Sequence, residues 1–194
     1  MEFLRLVGKS NPLPKTYSPD FLIQNPITKI WLVDEVDTQF YKMNMALQKE
    51  GLSGLHLVSG YRSYGHQQTL YTKKLKRLYV LTGMYDAHEI IKIMPAGCSE
   101  HQLGLAIDVT TVILKTADDP YKNFQKTFHF EWLMQRSIDF GFILRYPIDK
   151  EHITLREHKS YHFRYVGVNH AKKMYKFNLC LEEYLLHHNA MRCY

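Results

Sequence analysis

Short apolar segments that favour strands alternate along the chain with longer segments of helical periodicity, and this alternation limits the fold more than any other feature. The strand-like segments lie at 55–58, 103–112, 142–146 and 161–166. The helix-like segments lie at 37–49, 65–81, 84–94, 130–140, 168–177 and 180–190. Because the strands are short and few, we predict an α+β fold with a small, mainly antiparallel sheet flanked by helices.

Length and composition predict a single domain spanning residues 1–194. The chain is 45% hydrophobic and 23% charged, which are ordinary values for a globular protein and exclude a disordered one. We expect residues 1–30, which contain four prolines, to form an irregular N-terminal arm packed on the core. The polar segment 114–128 lacks periodicity, so we expect a loop there that is a candidate lid.

Charge and hydropathy limit the partners that we expect. A net charge of +6 is modest and does not by itself indicate a nucleic-acid partner. No apolar stretch approaches the ~20 residues of a membrane helix, and the first residues lack the apolar run of a signal peptide. The three cysteines show no pairing pattern, which is typical of a reduced chain. We therefore predict a cytoplasmic protein without stable membrane insertion, and the oligomeric state stays open.

Three residues have the chemistry of a catalytic metal site. His101 and Asp108 lie seven positions apart, and His162 follows 54 positions later. If His101 ends a loop and Asp108 lies on the next strand, a neighbouring strand can bring His162 to the same ion. Two imidazoles and one carboxylate leave a fourth position open, as catalytic zinc requires. On spacing alone, three unrelated polar residues remain the alternative.

Four linked motifs carry a resemblance to a known family. They are SGYRSYGHQ at 59–67, GCSEHQLGLAID at 97–108, GFILRYP at 141–147 and HFRYVG at 162–167. The residues and the order of these motifs resemble those of the zinc D-alanyl-D-alanine carboxypeptidases and dipeptidases of the VanY/VanX type. The sequence looks most like the cytoplasmic bifunctional VanXY-type D,D-peptidases of vancomycin resistance. The resemblance covers about residues 55–170. It implies the zinc peptidase fold that this family shares with the hedgehog domain.

The resemblance also implies a role for each matching residue. The residues that match the zinc ligands are His101, Asp108 and His162. Arg62 matches the arginine that stabilises the developing oxyanion, while Gln67 and Ser99 match positions that bind the substrate. The implied reaction is zinc-dependent hydrolysis of D-Ala-D-Ala, as the free dipeptide or at the end of a peptidoglycan precursor stem peptide. Such a reaction removes the target of glycopeptide antibiotics.

One position departs from the family pattern. The general base of the family is a glutamate three residues before the last zinc ligand, and here that position is Lys159. A protonated ammonium does not accept a proton, so we expect impaired activity. Glu157 could replace the base if its loop is rearranged, and so could Glu100, which adjoins a zinc ligand.

Two other functions therefore stay open. The chain could be a degenerate, non-catalytic zinc-binding member of the family that binds cell-wall peptide or a partner. It could also hydrolyse another bond of the same peptides, for instance an L,D bond.

Overall fold

Two antiparallel sheets organise the computed structural model, which describes residues 3–83 and 94–192. The strands are β1 (Leu22–Gln24), β2 (Trp31–Val33), β3 (Leu55–Ser59), β4 (Ala106–Thr111), β5 (Phe142–Leu144) and β6 (His162–Tyr165). The helices are α1 (Asp34–Lys49), α2 (Tyr64–Thr82), α3 (Phe128–Arg136), α4 (Glu151–Thr154), α5 (Val168–Lys176) and α6 (Leu181–Arg192). Strands β1 and β2 form a small sheet, and the larger sheet has the order β3-β4-β6-β5. The predicted α+β class with mainly antiparallel pairing is confirmed.

The register of the larger sheet separates the core from the site. Successive side chains of a strand point to opposite faces. One face carries Ile107 and Val109 of β4 together with Phe163 of β6, all fully buried in the main hydrophobic core. The opposite face carries Asp108 and His162, which are direct partners across the β4–β6 pair. Strand pairing alone therefore brings two of the predicted metal ligands together.

Helix α1 packs against the main hydrophobic core with an apolar stripe. The stripe of α1 follows the three-to-four spacing of a helix and consists of Val36, Phe40, Met43 and Leu47. Helix α2 begins where the Ser63 hydroxyl accepts a hydrogen bond from the backbone N–H of His66, and it ends at Gly83 with φ of 69°. No helix within residues 3–83 and 94–192 is long and apolar enough to span a membrane.

The N-terminal arm is more ordered than the sequence suggested. Val7 and Leu13 are buried in the core, in line with an arm packed on it. The arm is not wholly irregular, because β1 lies within it and pairs with β2. Backbone pairing with a neighbouring segment supplied the order that the proline-rich sequence did not predict.

Other boundaries differ by a few residues. The strand predicted over 103–112 begins at Ala106, because residues 100–103 form a 3-10 helix that ends at Gly104 with φ of 70°. The helix predicted over 130–140 begins at Phe128, and a 3-10 turn replaces it after Arg136. The helix predicted over 84–94 lies, apart from its last residue, outside the described residues.

Candidate active site

Three buried side chains converge on the face of the larger sheet opposite the core. Asp108 Oδ2 lies 3.1 Å from His101 Nε2, and Asp108 Oδ1 lies 2.7 Å from His162 Nδ1. One ligand atom from each residue lies within 4.8 Å of the others. The structure thus brings together the three metal ligands that the sequence predicted.

The residue that follows β3 orients His101. Its Nδ1 lies 2.6 Å from the carbonyl oxygen of Gly60. Because a carbonyl can only accept, Nδ1 carries the hydrogen and Nε2 offers its lone pair to the site. A side chain at position 60 would not fit, since a Cβ there would lie 2.5 Å from the carbonyl oxygen of Trp31 and from Leu32 Cδ2.

The protonation states suit a cation. Burial, and then the charge of Arg62, lower the pKa of His101 to about 4, so its imidazole is neutral at pH 7. Burial alone would raise the pKa of Asp108, but His101 and His162 together hold it well below its usual value. A neutral imidazole and an ionised carboxylate are the forms that bind metal.

The donor set therefore fits zinc. Two histidines and one aspartate are three protein ligands, and a catalytic zinc keeps its fourth position for water or substrate. The three residues are buried, yet they border a cavity of about 390 Å³ through which a substrate can reach them. A hard site for Mg²⁺ or Ca²⁺ would instead consist of oxygen ligands. The prediction of zinc agrees with this donor set.

The buried carboxylate of Glu100 lies next to His162. Glu100 Oε1 accepts a hydrogen bond from Arg145 Nε at 2.8 Å and forms an ion pair with Arg164 Nη1 at 3.1 Å. Its second oxygen, Oε2, lies 3.8 Å from His162 Nε2, and both of these atoms are buried with no hydrogen-bond partner among the described residues. Glu100 is thus positioned to receive the Nε2–H of His162 when Nδ1 holds a metal.

Glu100 is poorly suited to act as the general base. Burial alone would raise its pKa, but Arg145 and Arg164, and then His162, lower it far below the usual range. A carboxylate with so low a pKa is a weak proton acceptor. The structure therefore argues against one of the two substitute bases that the sequence left open.

Arg62 and Gln67 present unsatisfied polar atoms at the same cavity. Arg62 Nη2 lies 3.9 Å from Asp108 Oδ2, which places the guanidinium beside the metal ligands. Gln67 Nε2 donates to the carbonyl oxygen of Met94 at 2.6 Å. Arg62 Nε and Gln67 Oε1 are buried and bind no group within the described part of the chain. Ser99, the third predicted residue, is also buried in the cavity wall.

Lys159 lines the cavity, whereas Glu157 does not. The Lys159 Nζ atom lies 5.8 Å from the ring centre of Tyr146, and that ring stacks on His162 at a centroid distance of 5.2 Å. Burial, and then Arg156, lower the pKa of Lys159 to about 8. Glu157 is exposed and is not part of the described cavity wall.

Several aromatic side chains that line the cavity were not predicted from the sequence. Tyr121 stacks on Tyr161 at a centroid distance of 3.8 Å, and both line the cavity with Tyr146. Tyr121 belongs to the segment 114–128, so this loop contributes a wall of the site. The proline and polar residues of that loop indicated a turn but gave no sign of which side chain would face inwards.

The fold and the residues of the site together indicate a class of protein. A small antiparallel sheet that presents a His–Asp–His donor set, with an arginine beside an open cavity, fits a metal-dependent hydrolase. The comparisons with known proteins narrow this class to one family.

The VanY family, described as D-alanyl-D-alanine carboxypeptidase, matches residues 29–168 of this chain. The chain is 35% identical to the bifunctional D-Ala-D-Ala dipeptidase and D-Ala-D-Ala carboxypeptidase VanXYC of Enterococcus gallinarum, over 95% of this chain and 94% of that protein. The chain therefore belongs to the VanY family of D-alanyl-D-alanine carboxypeptidases.

Solved structures agree with this assignment. VanYB in complex with D-alanine-D-alanine superposes with a TM-score of 0.79 at 32% identity, covering 94% of this chain and 96% of that one. A mutant of the vancomycin resistance D,D-pentapeptidase VanY in complex with Zn(II) superposes with a TM-score of 0.78 at 32% identity, covering 95% of this chain and 99% of that one. These matches confirm the predicted fold family and support zinc as its cofactor.

Proposed function

We propose that this chain is a zinc-dependent D,D-peptidase that cleaves D-Ala-D-Ala, as the free dipeptide or at the end of a peptidoglycan precursor. One observation carries the proposal. The metal-binding side chains border a cavity in which a buried donor, Arg62 Nε, and a buried acceptor, Gln67 Oε1, have no partner among the described residues. A peptide offers both a carbonyl and an N–H to such atoms. The complex of VanYB with D-alanine-D-alanine supports this substrate.

The residues of the site have separate proposed roles. His101, Asp108 and His162 would hold zinc, which when bound polarises a carbonyl and activates water. Arg62 donates to the oxygen of the scissile carbonyl as negative charge develops there, because its guanidinium is fixed beside the metal ligands. Gln67 and Ser99 line the same cavity and would fix the register of the peptide by hydrogen bonds.

The residue at the position of the family's proton acceptor is poorly suited to accept a proton. Lys159 stands at the position of the family's base, and a positive ammonium there favours neither proton abstraction nor release of an anionic product. Glu157 remains a proposed substitute, although the segment around it must be rearranged to bring an exposed carboxylate to the cavity. We therefore expect slow turnover.

A second candidate function follows from the same lysine. The chain would then be a non-catalytic zinc-binding member of the family that binds cell-wall peptide or a partner. The observation that favours it is the ammonium of Lys159 in the cavity wall.

The test is release of D-Ala from D-Ala-D-Ala and from a precursor pentapeptide, with zinc content measured on the same sample. A His101→Ala variant serves as the metal-free control, and an L,D-linked peptide tests the alternative bond. Slow zinc-dependent release of D-Ala is the expected result. Stoichiometric zinc without any release of D-Ala would favour the binding function, and release that persists in the His101→Ala variant would contradict the metal assignment.

The biological setting remains a prediction. Removal of D-Ala-D-Ala would deprive glycopeptide antibiotics of their target, and the sequence predicts that the protein acts in the cytoplasm. The loop that carries Tyr121 is proposed as a lid that limits the length of the substrate.

A further inference from the structure

The charges that line the cavity favour an anion. Among the described residues of its wall, four side chains are cationic: Arg62, Lys74, Arg156 and Lys159. The wall also holds two carboxylates, Asp108 and Glu100. Arg145 and Arg164 already offset the charge of Glu100 from behind the wall. The described wall therefore holds more cationic than anionic side chains before any metal binds, and such a distribution favours anions.

Lys159 places part of this charge close to the metal ligands. Its Nζ lies beside the ring of Tyr146, which stacks on His162. Its charge also interacts with those of Asp108 and Arg62. Lys159 and Arg62 line the same cavity, with Arg62 beside Asp108 and Lys159 beside the ring that stacks on His162. Arg62 Nε is a buried donor with no hydrogen-bond partner among the described residues.

We propose that this cavity retains a peptide whose free carboxylate lies between Lys159 and Arg62, as the acyl product of the proposed cleavage would present it. The inference rests on the proposed function for the identity of the peptide. Before cleavage the same position holds an amide carbonyl, with one neutral oxygen. After cleavage it holds two oxygens that share a negative charge, and charge-assisted hydrogen bonds to Lys159 and Arg62 are stronger than those to a neutral amide. Lys159 therefore makes the site bind product in preference to uncleaved peptide.

A pair of small probes isolates this preference. N-acetyl-D-alanine carries the carboxylate, and N-acetyl-D-alaninamide has nearly the same shape without the charge. Both are titrated into zinc-loaded protein by calorimetry, and again into metal-free protein. We expect the zinc-loaded protein to bind the carboxylate at least about tenfold more tightly than the amide.

Substitutions at one position assign the preference to its residue. Lys159→Met should weaken binding of N-acetyl-D-alanine about tenfold or more and leave the amide unchanged. Lys159→Arg should keep the preference, which shows that loss in Lys159→Met is not a folding defect. Lys73→Met removes the same charge from an exposed position on α2 and should leave both affinities within about twofold. A preference that survives Lys159→Met, or falls equally in Lys73→Met, overturns the inference.

Turnover is measured separately on the same samples. Failure to release D-Ala from D-Ala-D-Ala in wild type and in Lys159→Glu contradicts the proposed hydrolysis. The binding preference is decided by the two probes alone, so the two failures can be told apart.

Discussion

Glu100 is a carboxylate that the fold keeps ionised away from water. Two buried arginines bind it, and its remaining oxygen faces the Nε2 atom of His162. Metal-binding histidines usually donate their second N–H to such a partner, and loss of the partner weakens metal binding. The local chemistry therefore assigns Glu100 to positioning His162.

We expect Glu100→Gln to lower zinc affinity by roughly 10–100-fold, because the amide keeps the shape but loses the charge that fixes the imidazole. Competition with a chromogenic chelator measures the affinity. Glu131→Gln, an exposed position on α3, is the matched control and should bind zinc as the wild type does. Unchanged zinc affinity in Glu100→Gln would show that His162 needs no such partner.

At the scale of elements, the end of β3 fixes the geometry of the metal site. The Gly60 carbonyl orients His101, and a methyl group at Gly60 would meet the backbone of Trp31 at 2.5 Å. Because backbone cannot move aside as a flexible side chain can, β2 and β3 must separate to admit it.

Gly60→Ala should therefore cost about 1–3 kcal/mol of unfolding free energy and also weaken zinc binding. Urea unfolding of the metal-free protein and zinc titration give the two numbers. Gly65→Ala is the control, since a Cβ at that position of α2 meets no atom within 4 Å and alanine favours a helix. Equal stability of the two variants would contradict the tight contact.

The loop 114–128 is the element that the proposed lid depends on. Phe124 anchors it in the core, while Tyr121 reaches the cavity. We expect Tyr121→Ala to change the ratio of rates on pentapeptide and dipeptide several-fold, because one wall of the cavity is lost. Lys122→Ala, at the exposed next residue, should leave the ratio unchanged. An unchanged ratio in Tyr121→Ala would exclude the lid.

The sequence predicted those parts of the site that local pattern determines. Asp108 and His162 could be placed together because alternation along two short strands fixes which face each residue occupies. The role of Glu100 could not be predicted, because its arginine partners lie 45 and 64 positions away and reach it only through the tertiary fold. Strand β1 was missed for a similar reason, since its order comes from pairing with β2 rather than from its own composition.

For the molecule as a whole, a metal held by His101, Asp108 and His162 would link segments that are distant in sequence. The site joins a 3-10 turn, β4 and β6, and Arg164 of β6 donates to the carbonyl oxygens of Phe3 and Arg5 in the N-terminal arm. Ligand binding to the folded state alone stabilises it by mass action.

Zinc at ~100 times its Kd should therefore add about 2.7 kcal/mol to the unfolding free energy and raise the Tm by roughly 5–10 °C. Scanning calorimetry with zinc and with a chelator measures the shift. His187→Ala, an exposed position on α6, should keep it, and His101→Ala should abolish it. A shift of equal size in both variants would place the zinc elsewhere.

We propose that this chain keeps the zinc D,D-peptidase site and has lysine at the position of the family's general base. The kinetics of D-Ala release by zinc-loaded wild type and by Lys159→Glu test this proposal. General-base catalysis contributes about 10²–10⁴-fold, so we expect Lys159→Glu to raise kcat/KM for D-Ala-D-Ala by at least ~100-fold at equal zinc content. A wild type that already turns over as fast as Lys159→Glu would contradict the claim and place the base elsewhere.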